Sequence, residues 1–313
     1  MTILRPLSAD PQTARVLTRR AIMARGAADP ESGAILSAVE RDVEEGTANG
    51  VLRFDGERAV GIALWDPPTE LGATLEVAFE VEGWQTPSDY RSFLAELPRV
   101  AGPVVFAPRG LAGLSEAEEG EVMAGGGFAR FARSEMRRSL LSPPSEGPVG
   151  PWPLREARSN DAPALARLHE RAYRTHFDRY LHLVYQDPGR DADLMVGEVV
   201  AGRWGEFLPW ASSTVEDRGV LVAATLVVRS PAGPLLVDVM VDPARQGQGL
   251  GRVVLASSIL ALRARHESVV VLNVTEGNVR AVHLYERLGF VRTLGPSYGW
   301  YSTERVPVSP GPR

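Results

Sequence analysis

The sequence predicts a mixed α/β fold built twice in tandem, and three observations carry that expectation. A β-branched apolar run, Leu235 to Val241, passes through a glycine-rich turn, Gln246-Gly247-Gln248-Gly249-Leu250-Gly251, into an apolar-periodic segment from Arg252 to Arg265. Elements of one half recur in the other at a near-constant distance: Leu75 and Leu235 stand 160 positions apart, as do Val81 and Val241, and Gly127-Phe128 precedes Gly289-Phe290 by 162. Between the halves, residues Ser142 to Pro153 read SPPSEGPVGPWP, a composition that makes linkers rather than cores. The expected division is a first domain at 1–145, a linker at 146–153 and a second domain at 154–313.

The first half opens with Ile3-Leu4-Arg5-Pro6 and an Ala/Arg-rich helical stretch to about Arg25, followed by a second helical pattern from Glu31 to Glu45. Val51-Leu52-Arg53-Phe54 and Val60 to Trp65 flank Asp55-Gly56-Glu57-Arg58, which reads as a hairpin with a four-residue connection. Ala73 to Val81 and Val104 to Phe106 read as strands, Ser88 to Leu97 and Ser115 to Ala124 as helices, the last closed by three glycines. In the second half a helix is expected over Asp161 to Tyr173, capped by Asn160 or Asp161. The segment from Arg174 to Trp210 reads as irregular and aromatic, with Phe177, Tyr180, Tyr185, Trp204, Phe207 and Trp210. A turn at Glu216-Asp217-Arg218-Gly219 then leads into a strand over Val220 to Val228.

Strand, glycine turn and helix in that order make an anion site, because helix-start N–H groups and the helix dipole favour negative charge and glycines admit close approach. The turn is not GxxxxGK[ST], since no Lys follows, and it gives GxGxG rather than GxGxxG. It matches Q/R-x-x-G-x-G/A as Gln246, Gly249 and Gly251. Downstream stands Asn278-x-x-Ala281-x-x-Leu284-Tyr285-x-x-x-Gly289-Phe290. At this separation the two blocks closely resemble the GCN5-related N-acetyltransferase superfamily, specifically over 235–290 and more loosely over 152–313.

That resemblance implies an acetyl-CoA-dependent transfer to an amine, with acetyl-CoA as co-substrate and no metal. Gln246 to Arg252, including Gly247, Gln248, Gly249, Leu250 and Gly251, would bind the pyrophosphate, with Arg252 adding charge at the rim. The strand end Val239-Met240-Val241 would offer a backbone N–H to the developing oxyanion. Asn278 reads as a helix N-cap that in the family also reaches CoA. Tyr285, on one helical face with Ala281, Leu284 and Leu288, would protonate the departing thiolate, the plainer reading being a core aromatic. Family members often place a Glu on the strand as base; the matching position here is Leu235. Asp238 is the sole acid in the strand and a candidate base, but by alternation it falls on the opposite face from Leu235, and a buried structural Asp explains it equally well.

The first copy lacks this chemistry. Glu82-Gly83-Trp84-Gln85-Thr86-Pro87 stands in place of the glycine turn, and Val122-Met123 in place of Leu284-Tyr285, so the N-terminal domain reads as degenerate and the C-terminal one as intact. His176, His182, His266 and His283 form no metal spacing and read as surface or internally satisfied residues. The aromatic segment lies where this family closes over its acceptor, although packing between the halves accounts for it equally.

Composition narrows the partners. With 44% hydrophobic and 23% charged residues and a net charge of −5, the chain gives no reason to expect nucleic acid or an anionic membrane. No apolar stretch approaches the ~20 residues that span a bilayer, and a cytoplasmic location is the expectation. Cys is 0 and all 34 residues of the Lys+Arg total are Arg, which excludes a cysteinyl intermediate and a lysine Schiff base. The expected partner is a small-molecule or peptide primary amine, and the expected state a monomer. A non-catalytic acyl-CoA-binding module is the alternative function.

Overall fold

The computed structural model describes residues 3–26, 40–65, 73–80, 90–91, 93–94, 104–108, 114–143, 150–176, 178, 188–231, 233–293 and 295–302. The expected pyrophosphate-turn counterpart at 82–87, much of the helices expected over 31–45 and 88–97, and Phe177, Tyr180, His182 and Tyr185 lie outside the described residues. The chain divides into two compact units, 1–131 with 298–313, and 132–297.

In the first unit, β1 (Ile3–Pro6), β2 (Asn49–Asp55), β3 (Arg58–Trp65) and β4 (Ala73–Glu80) pair antiparallel in sequence order. β5 (Val104–Pro108) then lies parallel to β4, and β14 (Ser297–Ser302) lies antiparallel to β5. Alternation along β2 and β3 sends Leu52, Ile62 and Leu64 to one face, against Ala14 and Leu17 of α1 (Pro11–Gly26), and Val51 and Ala63 to the other. The hairpin turns on two residues, Gly56-Glu57, rather than the expected four, with Asp55 paired to Arg58 and Gly56 at φ +61°. The helix α2 (Glu116–Gly125) starts in a capping box made by Ser115 and Glu118, and buries Val122 and Met123.

In the second unit the same plan appears. β7 (Leu154–Glu156), β9 (Ser213–Asp217), β10 (Val220–Ser230) and β11 (Gly233–Val241) pair antiparallel in turn. β12 (Val269–Thr275) is parallel to β11, and β6 (Phe128–Ser139) runs antiparallel to β12. Two short strands lie off this path: β8 (Glu206–Phe207) on β10 and β13 (Val291–Arg292) on β6. Helices α3 (Ala162–Tyr173) and α4 (Pro188–Val200) pack on one face around Leu165, Val196, Leu226 and Met240. Helices α5 (Leu250–Ala264) and α6 (Val279–Arg287) pack on the other around Leu255, Ile259, Leu272 and Tyr285.

The recurrence expected from the constant spacing is thus visible as two sheets of one design. Their limits depart from the linear pieces 1–145 and 154–313, because each sheet completes its edge with a strand from the other half of the chain. The outer edge of β5 takes β14 and that of β12 takes β6, which satisfies backbone groups that an open edge would leave unpaired. A second departure is α4, inside the segment expected to be irregular: Ala192, Met195, Val196 and Val199 fall at helical spacing and are all buried. The described rings of that segment do not gather in one place. Phe207 packs with the α3 face and Trp210 with the α5 face, while Trp204 is exposed. Among the described residues no helix is long and apolar enough to cross a membrane.

Candidate active site

The site begins with a defect in the second sheet. β11 and β12 are nine and seven residues long, yet their parallel register covers only Leu235–Val271 and Leu236–Leu272. Beyond Leu236 the strands part, and the edges of Val237–Val241 and Asn273–Thr275 open into a cleft between them. At the same point β11 carries a bulge: Leu226 faces Asp238 and Val227 faces Leu236, so Val237 has no partner on β10.

That bulge overturns the expected facing of Asp238. Leu235, Val237 and Met240 pack with the α3 face and Leu236 and Val239 with the α5 face, so one extra residue between them resets the alternation. Asp238 therefore turns toward α3, on the side of Leu235 rather than opposite to it. There it is buried, accepting a hydrogen bond from the Tyr173 hydroxyl at 2.8 Å, with Nε2 of the buried His169 at 3.2 Å from its other oxygen.

At the far end of β11 the glycine turn fits an anion. Gly247 and Gly249 have φ of +82° and +78°, which L side chains rarely adopt, and Gly249 is the N-cap of α5. No side chain caps that helix start and no acid sits in its first turn, so its N–H groups and dipole face outward from the exposed turn. Gln246 is held by a 2.7 Å hydrogen bond from Arg280 of α6. Gln248 is exposed and Arg252 half-buried on the first helical turn, whereas Leu250 belongs to the core. Gly251 differs from the other glycines of the turn. A Cβ there would meet Leu284 at 3.3 Å and Val241 at 3.5 Å, so its small size lets α5 close on α6 and on the end of β11.

Tyr285 enters from α6. Its ring is buried beside Phe290, with centroids 5.9 Å apart, in the cluster holding Val282 and Leu288. Burial raises its pKa well above the ordinary value near 10, and the negative charges of Asp238 and Asp178 push it further while Arg133 opposes them. Asn278 caps α6 as the sequence predicts, accepting from the Ala281 N–H at 3.2 Å, and Gly289 ends the helix at φ +87°.

Several residues near Asp238 and Asp178 carried no site assignment in the sequence, His176 being read there as a surface or internally satisfied residue. His169, Tyr173 and His176 occupy i, i+4 and i+7 of α3 and its extension, and form a ring series: His169 stacks on Tyr173 at 4.5 Å, and His176 meets Tyr173 edge-on at 5.7 Å. That spacing was the legible signal. Asp178 follows, buried to 7% exposure, with its backbone N–H donating to His176 Nδ1 at 3.2 Å. Burial raises the Asp178 pKa, against the opposing pull of Thr275, His176, Arg133 and Asn278. Thr275 and Arg133 come from β12 and β6, far apart in the chain, and only the fold brings them here. His266 and His283 are exposed, and among the described residues no group of His, Asp and Glu is arranged to hold a metal.

Comparison with known proteins gives this arrangement a lineage. The model of the acetyltransferase (GNAT) family matches residues 163–290, the span that holds the cleft, the glycine turn and Tyr285. A mycothiol acetyltransferase of Thermomonospora curvata is 30% identical over 294 residues, 90% of this chain and 91% of that protein. A mycothiol acetyltransferase of Streptosporangium roseum is 50% identical over 62 residues, which cover 20% of this chain and 18% of that protein. Among solved structures, a GCN5-related N-acetyltransferase from Sphaerobacter thermophilus superposes with a TM-score of 0.57 at 17% identity, covering 96% of this chain and 95% of its own. With likeness over nearly the whole length of a family member, the chain belongs to the GNAT family of acetyltransferases.

Proposed function

We propose that this acetyltransferase moves an acetyl group from acetyl-CoA directly to a primary amine of a small molecule or peptide, and that the second unit alone does so. The observation that carries the reading is the parting of β11 and β12 between the glycine turn and Tyr285. An extended thioester would lie along the open edge with its pyrophosphate at the turn. The first unit supports the assignment by contrast: Val122 and Met123, at the positions matching Leu284 and Tyr285, are core residues without a hydroxyl. The full-length relative named for mycothiol favours a small-molecule acceptor.

In this reading acetyl-CoA supplies the acetyl group, and the chain's residues manage charge and protons. Gly247, Gly249 and the start of α5 hold the pyrophosphate, with Gln246 fixed by Arg280 and Arg252 at the rim. The open edge of Val239-Met240-Val241 presents backbone N–H to the carbonyl oxygen as negative charge grows there. As the amine nitrogen bonds to the carbonyl carbon and the carbon–sulfur bond breaks, Tyr285 delivers its proton to the sulfur and Asp238 accepts the proton leaving the amine. Asn278 caps α6 and so fixes the helix that carries Tyr285.

The test is CoA thiol release from acetyl-CoA across amines, amino acids, aminoglycosides and polyamines, where the absence of cysteine leaves no protein background. Amine-dependent release supports transfer. One acetyl-CoA bound per chain by calorimetry with no release from any amine refutes transfer in favour of a binding role.

A further inference from the structure

We propose that Asp178 selects the acceptor: its buried Oδ1 receives an N–H of a cationic primary amine entering the open end of the β11/β12 cleft. The inference rests on the transferase reading above and adds the residue that recognises the acceptor and the charge that acceptor carries.

The first observation is an accounting gap. Asp178 is 7% exposed; His176 Nδ1 lies 3.6 Å from its Oδ2 and hydrogen-bonding pull from Thr275 and Asn278 acts on the carboxylate, yet Oδ1, shielded from water, accepts no hydrogen bond of ordinary geometry. A buried carboxylate oxygen left in that state is costly and calls for a physical explanation, of which a ligand that completes it is one. The second is place. Asp178 follows α3, lies beside Thr275 at the end of β12 and Asn278 at the start of α6, and acts on the Tyr285 hydroxyl through its charge. Thr275 ends the strand whose ladder with β11 has stopped, Asn278 starts the helix that carries Tyr285, and the His169–Tyr173–His176 rings run from Asp238 to Asp178. The third is the electrostatic state. Burial works against ionised Asp178 more strongly than Thr275, His176, Arg133 and Asn278 work for it. A cation arriving there relieves that penalty, whereas a neutral hydroxyl of the same shape relieves much less of it.

Two carboxylates then divide the work. Asp178 holds the ammonium at the entrance, and Asp238, already bonded to Tyr173, stands where the proton leaves once the nitrogen turns toward the carbonyl. Asp178 lowers the amine's KM and leaves the acetyl-CoA end of the cleft untouched.

The experiment uses the full chain and the Asp178→Asn variant, with benzylamine, tyramine and spermidine as amine probes and benzyl alcohol as the neutral isostere. Expected is an amine KM raised about ten- to a hundredfold in the variant, the loss of one hydrogen bond to a charged group, with the KM for acetyl-CoA within about twofold. An unchanged amine KM in a variant that turns over overturns the role of Asp178 and leaves the transferase reading standing. A second readout needs no variant: in the native chain, benzylamine should bind at least about tenfold more tightly than benzyl alcohol, and equal binding overturns the inference. No thiol release from the native chain with any probe overturns the transferase reading and this inference with it.

Discussion

Replacing Tyr285 by Phe separates chemistry from packing at the centre of the site. The ring would keep its place beside Phe290 and within the Val282–Leu288 cluster, so the loss of stability should stay below about 1 kcal/mol. The hydroxyl is worth more to the reaction. Proton transfer by a positioned group contributes on the order of 10²–10⁴ in rate. The raised pKa makes Tyr285 a reluctant donor, which places its share near the lower end, about a hundredfold in kcat or roughly 2.7 kcal/mol of barrier. The assay is steady-state thiol release with the best amine, beside a calorimetric titration of acetyl-CoA. Affinity should change by less than about twofold, since the turn that holds the pyrophosphate is untouched. A kcat within about threefold of the native value, with a lower melting temperature, would assign Tyr285 to the core and refute the reasoning. The same residue predicts a stability effect with a definite sign. Folded Tyr285 holds its proton above pH ~10, where the unfolded side chain ionises. Its contribution is therefore complete below pH ~10 and is lost as pH rises beyond that, toward the folded value. Urea unfolding at about pH 8 and pH 10.5 should show a smaller drop for Tyr285→Phe than for the native chain.

Other perturbations probe the surroundings. Gly249→Ala meets nothing within 4 Å but must adopt φ +78°, so it should cost about 1 kcal/mol and weaken acetyl-CoA binding, as calorimetry and melting would register. Asp238→Asn removes the charge at the Tyr173 and His169 contacts; the base assignment requires the acidic limb of the kcat/KM profile to disappear, and an unchanged profile in a less stable protein would leave Asp238 a structural residue. Arg138→Met should destabilise the second unit by about 1–3 kcal/mol, because the buried Arg138 Nε donates to the Leu288 carbonyl at 2.5 Å where α6 ends. Trp84→Ala, in the stretch that the 160-residue spacing aligns with the glycine turn, should leave acetyl-CoA affinity unchanged, and a large loss would show that the first unit binds it.

The sequence by itself determined what local chemistry controls. Gly247 and Gly249 are legible because a positive φ is readable from residue type, and Asn278 and Gly289 because helix ends have their own preferences. The apolar face of α6 announced that Tyr285 would be buried, and a fixed spacing between similar elements announced two sheets of one design. Tertiary structure decided what depends on partners distant in the chain. Asp238 changed face because pairing with β10 forces a bulge at Val237, and strict alternation holds only while the ladder is regular. The units exchanged β6 and β14 because an edge is satisfied by whichever strand reaches it, and nothing in a strand's own residues names that neighbour. The surroundings of Asp178 are of the same kind. Its carboxylate feels Thr275 of β12, Asn278 at the start of α6 and Arg133 of β6, about a hundred residues after it or tens before.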